Sequence, residues 1–362
     1  MKKLLALILA AVMIFALSAC GGSSAPAATP APAAAPAEAP AAAPAEAPAE
    51  ASVWDDFEPM VVSFATANGI AQTIEKMDQA WMKYVTEKSE GKITFDYYPG
   101  AQLGSYMDLI EQVDTGALNV SVTDISMFES YCKEFAVLYF PYIMTDSDHA
   151  GRVMYGDGGQ ILKDALAAKT NTYMLGFVQH GARVCATVKP INSVDDCKGI
   201  IMRTPEAQNY IEWCNAIGMS STAMPMSDAY VAIQTGVAQG IELPIQALQS
   251  NGYTDVAPNV WKDAHMYAFQ GLTVNQQWYD SLPDFVQELF VEAWENQQAD
   301  YNQTLLNEEA DIYKLLEDGG VTITECDYRD DLAAIFTDYY QPTAESISPE
   351  AVQLLNIINE TR

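Results

Sequence analysis

Basic residues are scarce in this chain of 362 residues. There are 18 lysines and arginines against 48 aspartates and glutamates, which gives a formal net charge of −30 at pH 7. Because a surface that binds nucleic acid needs positive charge to neutralise phosphates, this composition argues against nucleic acid as a partner. The scarcity also makes any cation within an apolar segment conspicuous. The five arginines are Arg152, Arg183, Arg203, Arg329 and Arg362.

The motifs of familiar enzymes are also missing. The histidines, His149, His180 and His265, do not have the spacing of metal ligands, and there is no G-x-S-x-G motif. The glycine-rich segment 156–159 is interpreted as a turn, since neither a preceding strand nor a Lys-Ser/Thr pair accompanies it. Acidic pairs such as Asp195-Asp196 are interpreted as solvated surface. We therefore expect no catalytic residue, no metal site and no cofactor.

Cysteines are few, and their spacing does not suggest pairs. One of the six belongs to the N-terminal signal described next, which leaves an odd number, and none stands in a C-x-x-C arrangement. This spacing argues against a disulfide or zinc framework and predicts free, buried thiols. Cys185 and Cys197 are the one pair for which a bridge stays open. The five cysteines are Cys132, Cys185, Cys197, Cys214 and Cys326.

The N-terminus has the three parts of a secretory signal. Two lysines precede the apolar run Leu4 to Leu17, and Leu17-Ser18-Ala19-Cys20 follows. The run is shorter than the roughly 20 residues that a membrane-spanning helix needs. The last four residues resemble a bacterial lipobox, which predicts a signal peptide over 1–19 and lipid on Cys20. The alternative is an ordinary signal peptide that happens to contain a cysteine.

Residues 20–52 are almost entirely alanine, proline, glycine, serine and glutamate. Such a segment has no side chains with which to form a core, so we interpret it as a disordered spacer between the lipid and the folded part. This predicts an extracytoplasmic protein anchored to the cell membrane, on its periplasmic side or at the outer cell surface. No second apolar run approaches membrane-spanning length, which predicts that the remaining residues are soluble.

Strands and helices alternate along the remainder of the chain. This alternation predicts an α/β fold in which helices cover both faces of a parallel sheet. In the last third, a helical pattern begins near Pro283 and runs to Gly319-Gly320. One long helix, lying across both of two domains, is the preferred interpretation; two helices with a break near residues 296–300 are the alternative.

Two arginines stand within apolar strands. Arg183 lies in G-A-R-V-C-A-T-V and Arg203 in G-I-I-M-R-T-P. A charge in such a place is costly unless it is paired, and a guanidinium offers a fork that fits a carboxylate. The pattern leaves two interpretations open for each arginine: a carboxylate ligand or a structural ion pair with one of the many acids.

Several segments resemble one family. They are Tyr98–Gly104 (Y-P-G-A-Q-L-G), Pro190–Gly199 (P-I-N-S-V-D-D-C-K-G), Ala229–Gly236 (A-Y-V-A-I-Q-T-G), and Asn275 with Leu282-Pro283. In this order, behind a lipoprotein signal, they are similar to the solute receptors of tripartite ATP-independent periplasmic (TRAP) transporters, DctP type. The resemblance covers residues 59 to 345.

The resemblance implies a two-domain fold of the periplasmic-binding-protein type with a long C-terminal helix spanning both domains. We place domain I at 53–182 and 266–362, including that helix, and domain II at 183–265. The implied function is capture of a small organic carboxylate between the domains and its delivery to the integral membrane subunits of a TRAP transporter. A receptor of an ATP-driven importer, a surface hydrolase and a sensory module are the alternatives.

The resemblance also implies ligand-binding residues. The family's clamp arginine corresponds to Arg203 in M-R-T-P, and Arg183 has the spacing of a second arginine found in sialic-acid-type members. The remaining implied residues are Met226, predicted in a strand leading to Ser227, Asp124, Asn68 and Leu243.

Leu243 bears on the solute, because it replaces the family's ligand-contacting asparagine in Gln239–Pro244 (Q-G-I-E-L-P). Together with Met226 it predicts a carboxylate with an apolar or aromatic portion, such as a branched or aryl monocarboxylate or a 2-oxo acid, rather than a densely hydroxylated sugar acid. A C4-dicarboxylate is expected if Arg183 binds a second carboxylate. The alternative is that Leu243 packs away from the pocket.

Overall fold

The computed structural model describes residues 52–70 and 72–362. The predicted signal peptide, Cys20 and all of the predicted spacer except Ser52 lie outside the described residues. The strands are β1 Met60–Thr66, β2 Ile93–Tyr98, β3 Val120–Asp124, β4 Thr172–Thr187, β5 Ile201–Thr204, β6 Ser220–Ala223, β7 Gly240–Pro244, β8 Asn259–Asn275 and β9 Thr322–Glu325. The α-helices are α1 Thr73–Lys88, α2 Tyr106–Asp114, α3 Ser147–Met154, α4 Asp157–Lys169, α5 Gln208–Ala216, α6 Met226–Gln234, α7 Ile245–Ser250, α8 Gln276–Asp280, α9 Asp284–Asp318, α10 Arg329–Ile335, α11 Thr337–Ile347 and α12 Pro349–Glu360.

The strands form one mixed sheet in the order β2-β1-β3-β8-β4-β7-β5-β6, with β9 paired to β8. On one flank β1 pairs in parallel with β2 and β3, and on the other β5 pairs in parallel with β6 and β7. The central pairs β3–β8, β8–β4 and β4–β7 are antiparallel. The expectation of a parallel sheet is therefore wrong at the centre, where two long strands carry the chain between the flanks.

Strands β3 and β7 approach the centre of the sheet from opposite directions. β3 ends at Asp124, opposite Gln270 on β8, and β7 ends at Pro244, opposite Arg183 on β4. Gln270 in turn pairs with Val178, so the two carboxyl ends stop about five residues apart along β4. Ligands of open α/β sheets bind outside the carboxyl ends of strands, and this gap therefore sets the position of the candidate site.

The central pair β4–β8 is irregular within and just beyond this gap. Its register shifts between Gln179 and Gly181, and the φ of Gly181 is 97°, a left-handed conformation that glycine adopts without strain. A second shift follows between Arg183 and Cys185, where residues 262–265 of β8 oppose a single residue of β4. The sequence predicts separate strands over 173–178 and 183–188, because Gln179, His180 and Gly181 interrupt the apolar pattern, whereas the structure has the single strand β4.

A single helix, α9, covers 35 residues, which confirms the prediction of one long helix over a broken pair. It packs against both α1 and β4. The indole of Trp81 on α1 donates to the Phe290 carbonyl at 3.0 Å. Trp294 lies directly over Gly176 of β4, where a Cβ atom would approach the indole to 2.2 Å. Glycine is therefore required at this position for α9 to lie against the sheet.

Local sequence accounts for other elements. Ser105 and Asp108 form a reciprocal capping box that begins α2, and Val62 and Phe64 of β1 are buried. The interpretation of 156–159 as a turn is wrong, because Gly156 caps α4 and the next three residues lie in that helix. Among the described residues no helix is both long and apolar enough to cross a membrane.

The five cysteines of the described chain are free, and four of them are buried. Cys185 and Cys197, the pair for which a bridge was open, therefore do not form one. The thiols pack as small apolar side chains within the cores.

Candidate functional site

A cavity of about 580 Å³ opens at the gap between the ends of β3 and β7. Its walls come from the ends of β3, β5 and β7, from the first residues of α2 and α6, and from the loop after β1. Five of the six predicted ligand-binding residues line this cavity: Asp124, Arg183, Arg203, Met226 and Leu243. This volume lies in the range of small-molecule sites.

Arg203 lies at the cavity in β5 and is only 4% exposed. Its Nε and Nη2 donate to the carbonyl oxygen of Met224, at 3.0 and 2.6 Å. No carboxylate lies within ion-pair distance of this guanidinium in the part of the chain that the structure describes. Burial lowers the pKa of Arg203, although an arginine stays charged at neutral pH. Three of its five N–H groups therefore remain for an anionic ligand.

Arg183 has a different environment, because two carboxylates already bind it. Its Nε donates to Glu242 Oε2 at 2.5 Å and its Nη2 to Glu242 Oε1 at 2.9 Å, in a bidentate pair. Its Nη1 lies 3.5 Å from Asp124 Oδ2, and its guanidinium stacks over the Tyr210 ring. Burial opposes the charge, but Glu242, Tyr210 and Asp124 together outweigh burial and raise the pKa of Arg183. The structural ion pair was the alternative left open for Arg183, and it is present; a ligand role stays a prediction.

Glu242 is the partner of Arg183 that the sequence reasoning did not assign. It is fully buried, one residue before Leu243. Burial opposes its ionisation, but Arg183 and His265 outweigh burial and lower its pKa. The residue itself is visible in Q-G-I-E-L-P, but its partner is not, because the partner depends on the register of β7 against β4. In that register Glu242 faces Cys185, and Arg183, two residues before Cys185, lies on the same face of the sheet.

Leu243 and Met226 both face the cavity. Leu243, although only 6% exposed, is among the residues that line the cavity, and its contact with a solute stays a prediction. Met226 is the first residue of α6 rather than part of a strand, because Pro225 before it ends the extended segment. Met107, Met127 and Met224 also line the cavity; they were missed because isolated methionines look like core residues.

Asn68 is not among the residues that line the cavity. Its side chain is fully buried behind the wall, where it donates to Thr66 and accepts the Tyr106 hydroxyl at 2.6 Å. Tyr106 itself lines the cavity. Asn68 thus holds Tyr106 through a hydrogen bond at the cavity wall, and a direct contact of Asn68 with a ligand stays a prediction.

A second buried polar cluster adjoins Glu242 outside the cavity. His265 Nε2 lies 3.3 Å from Glu242 Oε2, and Nδ1 lies 2.9 Å from Asp263 Oδ2, as an ion-pair contact rather than an aligned hydrogen bond. Cys185, Asp263 and His265 are close enough together to bind a cation. However, burial raises the pKa of Cys185. Burial opposes protonation of His265, but Asp263 and Glu242 together outweigh it and raise the pKa of the imidazole. Both shifts favour the protonated forms of Cys185 and His265, which are the forms that do not bind a metal ion.

The family is decided by comparison with known proteins. The model of the bacterial extracellular solute-binding proteins, family 7 (DctP), matches residues 64–345. The chain belongs to this family. Family 7 comprises solute receptors of TRAP transporters rather than enzymes, and the chain is such a receptor, with the two-domain binding-protein fold and its long helix. The match favours this function over a receptor of an ATP-driven importer or a surface hydrolase.

Relatives in family 7 share about a quarter of their residues with this chain. The sialic acid-binding periplasmic protein SiaP of Vibrio cholerae is 25% identical over 281 residues, 77% of this chain and 84% of that protein. The C4-dicarboxylate-binding periplasmic protein DctP of Rhodobacter capsulatus is 26% identical over 301 residues, 82% and 90% of the two chains. A TRAP periplasmic solute binding protein of Chromohalobacter salexigens with bound D-glucuronate superimposes with a TM-score of 0.79 at 25% identity, covering 83% of this chain and all of that one.

Proposed function

We propose that this receptor binds a small organic carboxylate in the cavity, with Arg203 as the principal anchor. The observation that carries the proposal is a buried guanidinium whose only acceptor among residues 52–70 and 72–362 is the Met224 carbonyl. A buried charge is costly unless it is compensated, and a carboxylate would compensate it through paired hydrogen bonds. The first residues of α2 and α6 also line the cavity, and helix N-termini favour anions.

The proposed domains, 53–182 with 266–362 and 183–265, meet where the register of β4–β8 shifts. Arg183 is the first residue of proposed domain II, and Met266 is the first residue of the second segment of domain I. These two residues face each other across β4–β8. Because the irregular segment interrupts the sheet between its two flanks, we infer that the domains rotate about it and close on the solute.

A thermal-shift screen of organic acids tests both points. A ligand at about 100 times its Kd is expected to stabilise the protein by about 2.7 kcal/mol, and small-angle scattering of the same sample should show a smaller radius of gyration. The matched control is the uncharged amide of the acid, which should neither stabilise nor compact the protein. Equal binding of acid and amide would contradict the carboxylate proposal, and binding without compaction would contradict closure.

We also propose that lipid on Cys20 anchors the receptor to the membrane. The support is the sequence alone: a charged start, an apolar run and Leu-Ser-Ala-Cys. Replacing Cys20 with serine is expected to move the mature protein from the membrane fraction to the soluble or secreted fraction, whereas Ser24→Ala should leave it on the membrane. Unchanged fractionation of C20S would argue for an ordinary signal peptide.

A further inference from the structure

Few side-chain hydrogen-bond donors in the walls of the cavity are free. Tyr106 donates its hydroxyl to Asn68, and Tyr253 donates to the Met226 carbonyl at 3.0 Å. Ser105 donates to Asp108, and the Asn251 amide donates to the Ala247 carbonyl at 2.8 Å. Among the described side chains of the lining, the donors left over are those of Arg203, the Tyr230 hydroxyl and a single N–H of Arg183.

Much of the remaining surface is apolar and polarisable. Met107, Met127, Met224 and Met226 line the cavity together with Leu243. Methionine side chains adapt to irregular shapes and make favourable contacts between sulfur and aromatic rings. Apart from the carboxylates of Asp124 and Glu206, a ligand placed here therefore meets one strong anion-binding group and a wall rich in thioethers and aliphatic carbon.

Arg183 has little capacity left for a second carboxylate. Glu242 occupies its Nε and Nη2, and Asp124 lies against its Nη1. Asp124 itself lines the cavity, and its negative charge would repel a second carboxylate at this place. The geometry accommodates one carboxylate and disfavours two.

We infer that the solute is a monocarboxylate whose remaining part is apolar, an aryl or branched-alkyl acid with at most one further polar group. This inference rests on the proposed function and narrows it. A sugar acid carries a hydroxyl or ring oxygen on nearly every carbon. Some of its hydroxyls can donate to the carboxylates of Asp124 and Glu206, but the oxygens that face the methionines and Leu243 would be left without partners. Each such unpaired group lowers affinity by about tenfold or more.

Calorimetry with the purified protein tests the inference, with phenylacetate, phenylpyruvate and 4-methyl-2-oxopentanoate as probes. D-Glucuronate, D-galactonate and succinate are the comparison set. We expect at least one apolar acid to bind at least tenfold more tightly than every member of the comparison set. Tighter binding of a sugar acid or of succinate would overturn this inference and leave the proposed carboxylate receptor intact. If no acid of either set binds the folded protein, the inference and the proposed function both fail.

Two substitutions test the residues that set the preference. Leu243→Asn places an amide at the cavity and is expected to reduce the preference for the apolar acids over glucuronate by at least tenfold. Because Leu243 also packs in a buried cluster, Met226→Gln at the partly exposed start of α6 is the second variant, with the same direction expected. Val231→Gln, at an exposed position of the same helix outside the cavity, is the control. An unchanged preference in folded M226Q and L243N would overturn the assignment.

Discussion

Replacing Arg203 with alanine is expected to weaken binding of the carboxylate by about 2–5 kcal/mol, roughly 30-fold or more, because a desolvated anion loses its buried partner. Arg203→Lys should also bind poorly, since a single ammonium cannot reproduce the planar fork. Isothermal calorimetry measures both effects. The free energy of unfolding should change little, because the loss of two donors to Met224 is offset by removal of an uncompensated buried charge.

Arg152→Ala is the matched control for this result. Arg152 is an exposed arginine on α3, and its Nε donates to the Thr361 carbonyl. Neither of these two residues lines the cavity. Its removal changes the net charge by the same amount as removal of Arg203, so affinity should stay within about threefold of the unmodified protein. Equal affinities for R203A and R152A would show that Arg203 is not the anchor.

For Arg183 the large effect is expected on the free energy of unfolding, whereas for Arg203 it is expected on binding. Arg183→Met should lower the free energy of unfolding by about 3–5 kcal/mol, because it leaves Glu242 ionised and buried without its bidentate partner. Denaturant unfolding at pH 7 measures the change. Since the pKa of Glu242 is lowered in the folded state, the pair stabilises fully above the ordinary pKa of a glutamate and loses its effect as the pH falls through the lowered pKa.

The double variant Arg183→Met with Glu242→Gln separates the pair from simple loss of packing. A neutral amide at position 242 needs no cation, so the second substitution should restore much of the stability that the first removes. A destabilisation by R183M of less than about 1 kcal/mol, or no recovery in the double variant, would contradict a structural role for this pair.

Arg183 and Arg203 also show which features of the site can be predicted from the sequence and which cannot. Both were found from sequence, because a cation inside an apolar strand is costly and therefore conspicuous. Their division into a paired and an unpaired arginine was not predictable. Glu242 stands 59 residues beyond Arg183, and a slip of one residue in the register of β7 would turn its carboxylate to the other face of the sheet.

The same contrast holds for the fold. Helix α9 was predicted as a single element because its apolar pattern continues between clear signals, Pro283 at its start and Gly319-Gly320 at its end. Strand β8 was missed, since its residues 262–265 oppose a single residue of β4, and the three extra residues interrupt the two-residue period. Local signals specify helices, whereas irregular long strands depend on partners distant in sequence.

The irregular segment of β4 and β8 has a consequence for amide exchange. At each shift of register some backbone N–H groups of these strands lose their place in the ladder, although both strands are otherwise deeply buried. The amides near Gly181 and of residues 262–265 are therefore expected to exchange with solvent deuterium earlier than their neighbours in the same strands. The backbone flexibility of the receptor would then be confined to a few residues at the middle of the sheet. Binding of a solute would be detected as slower deuterium exchange at these amides.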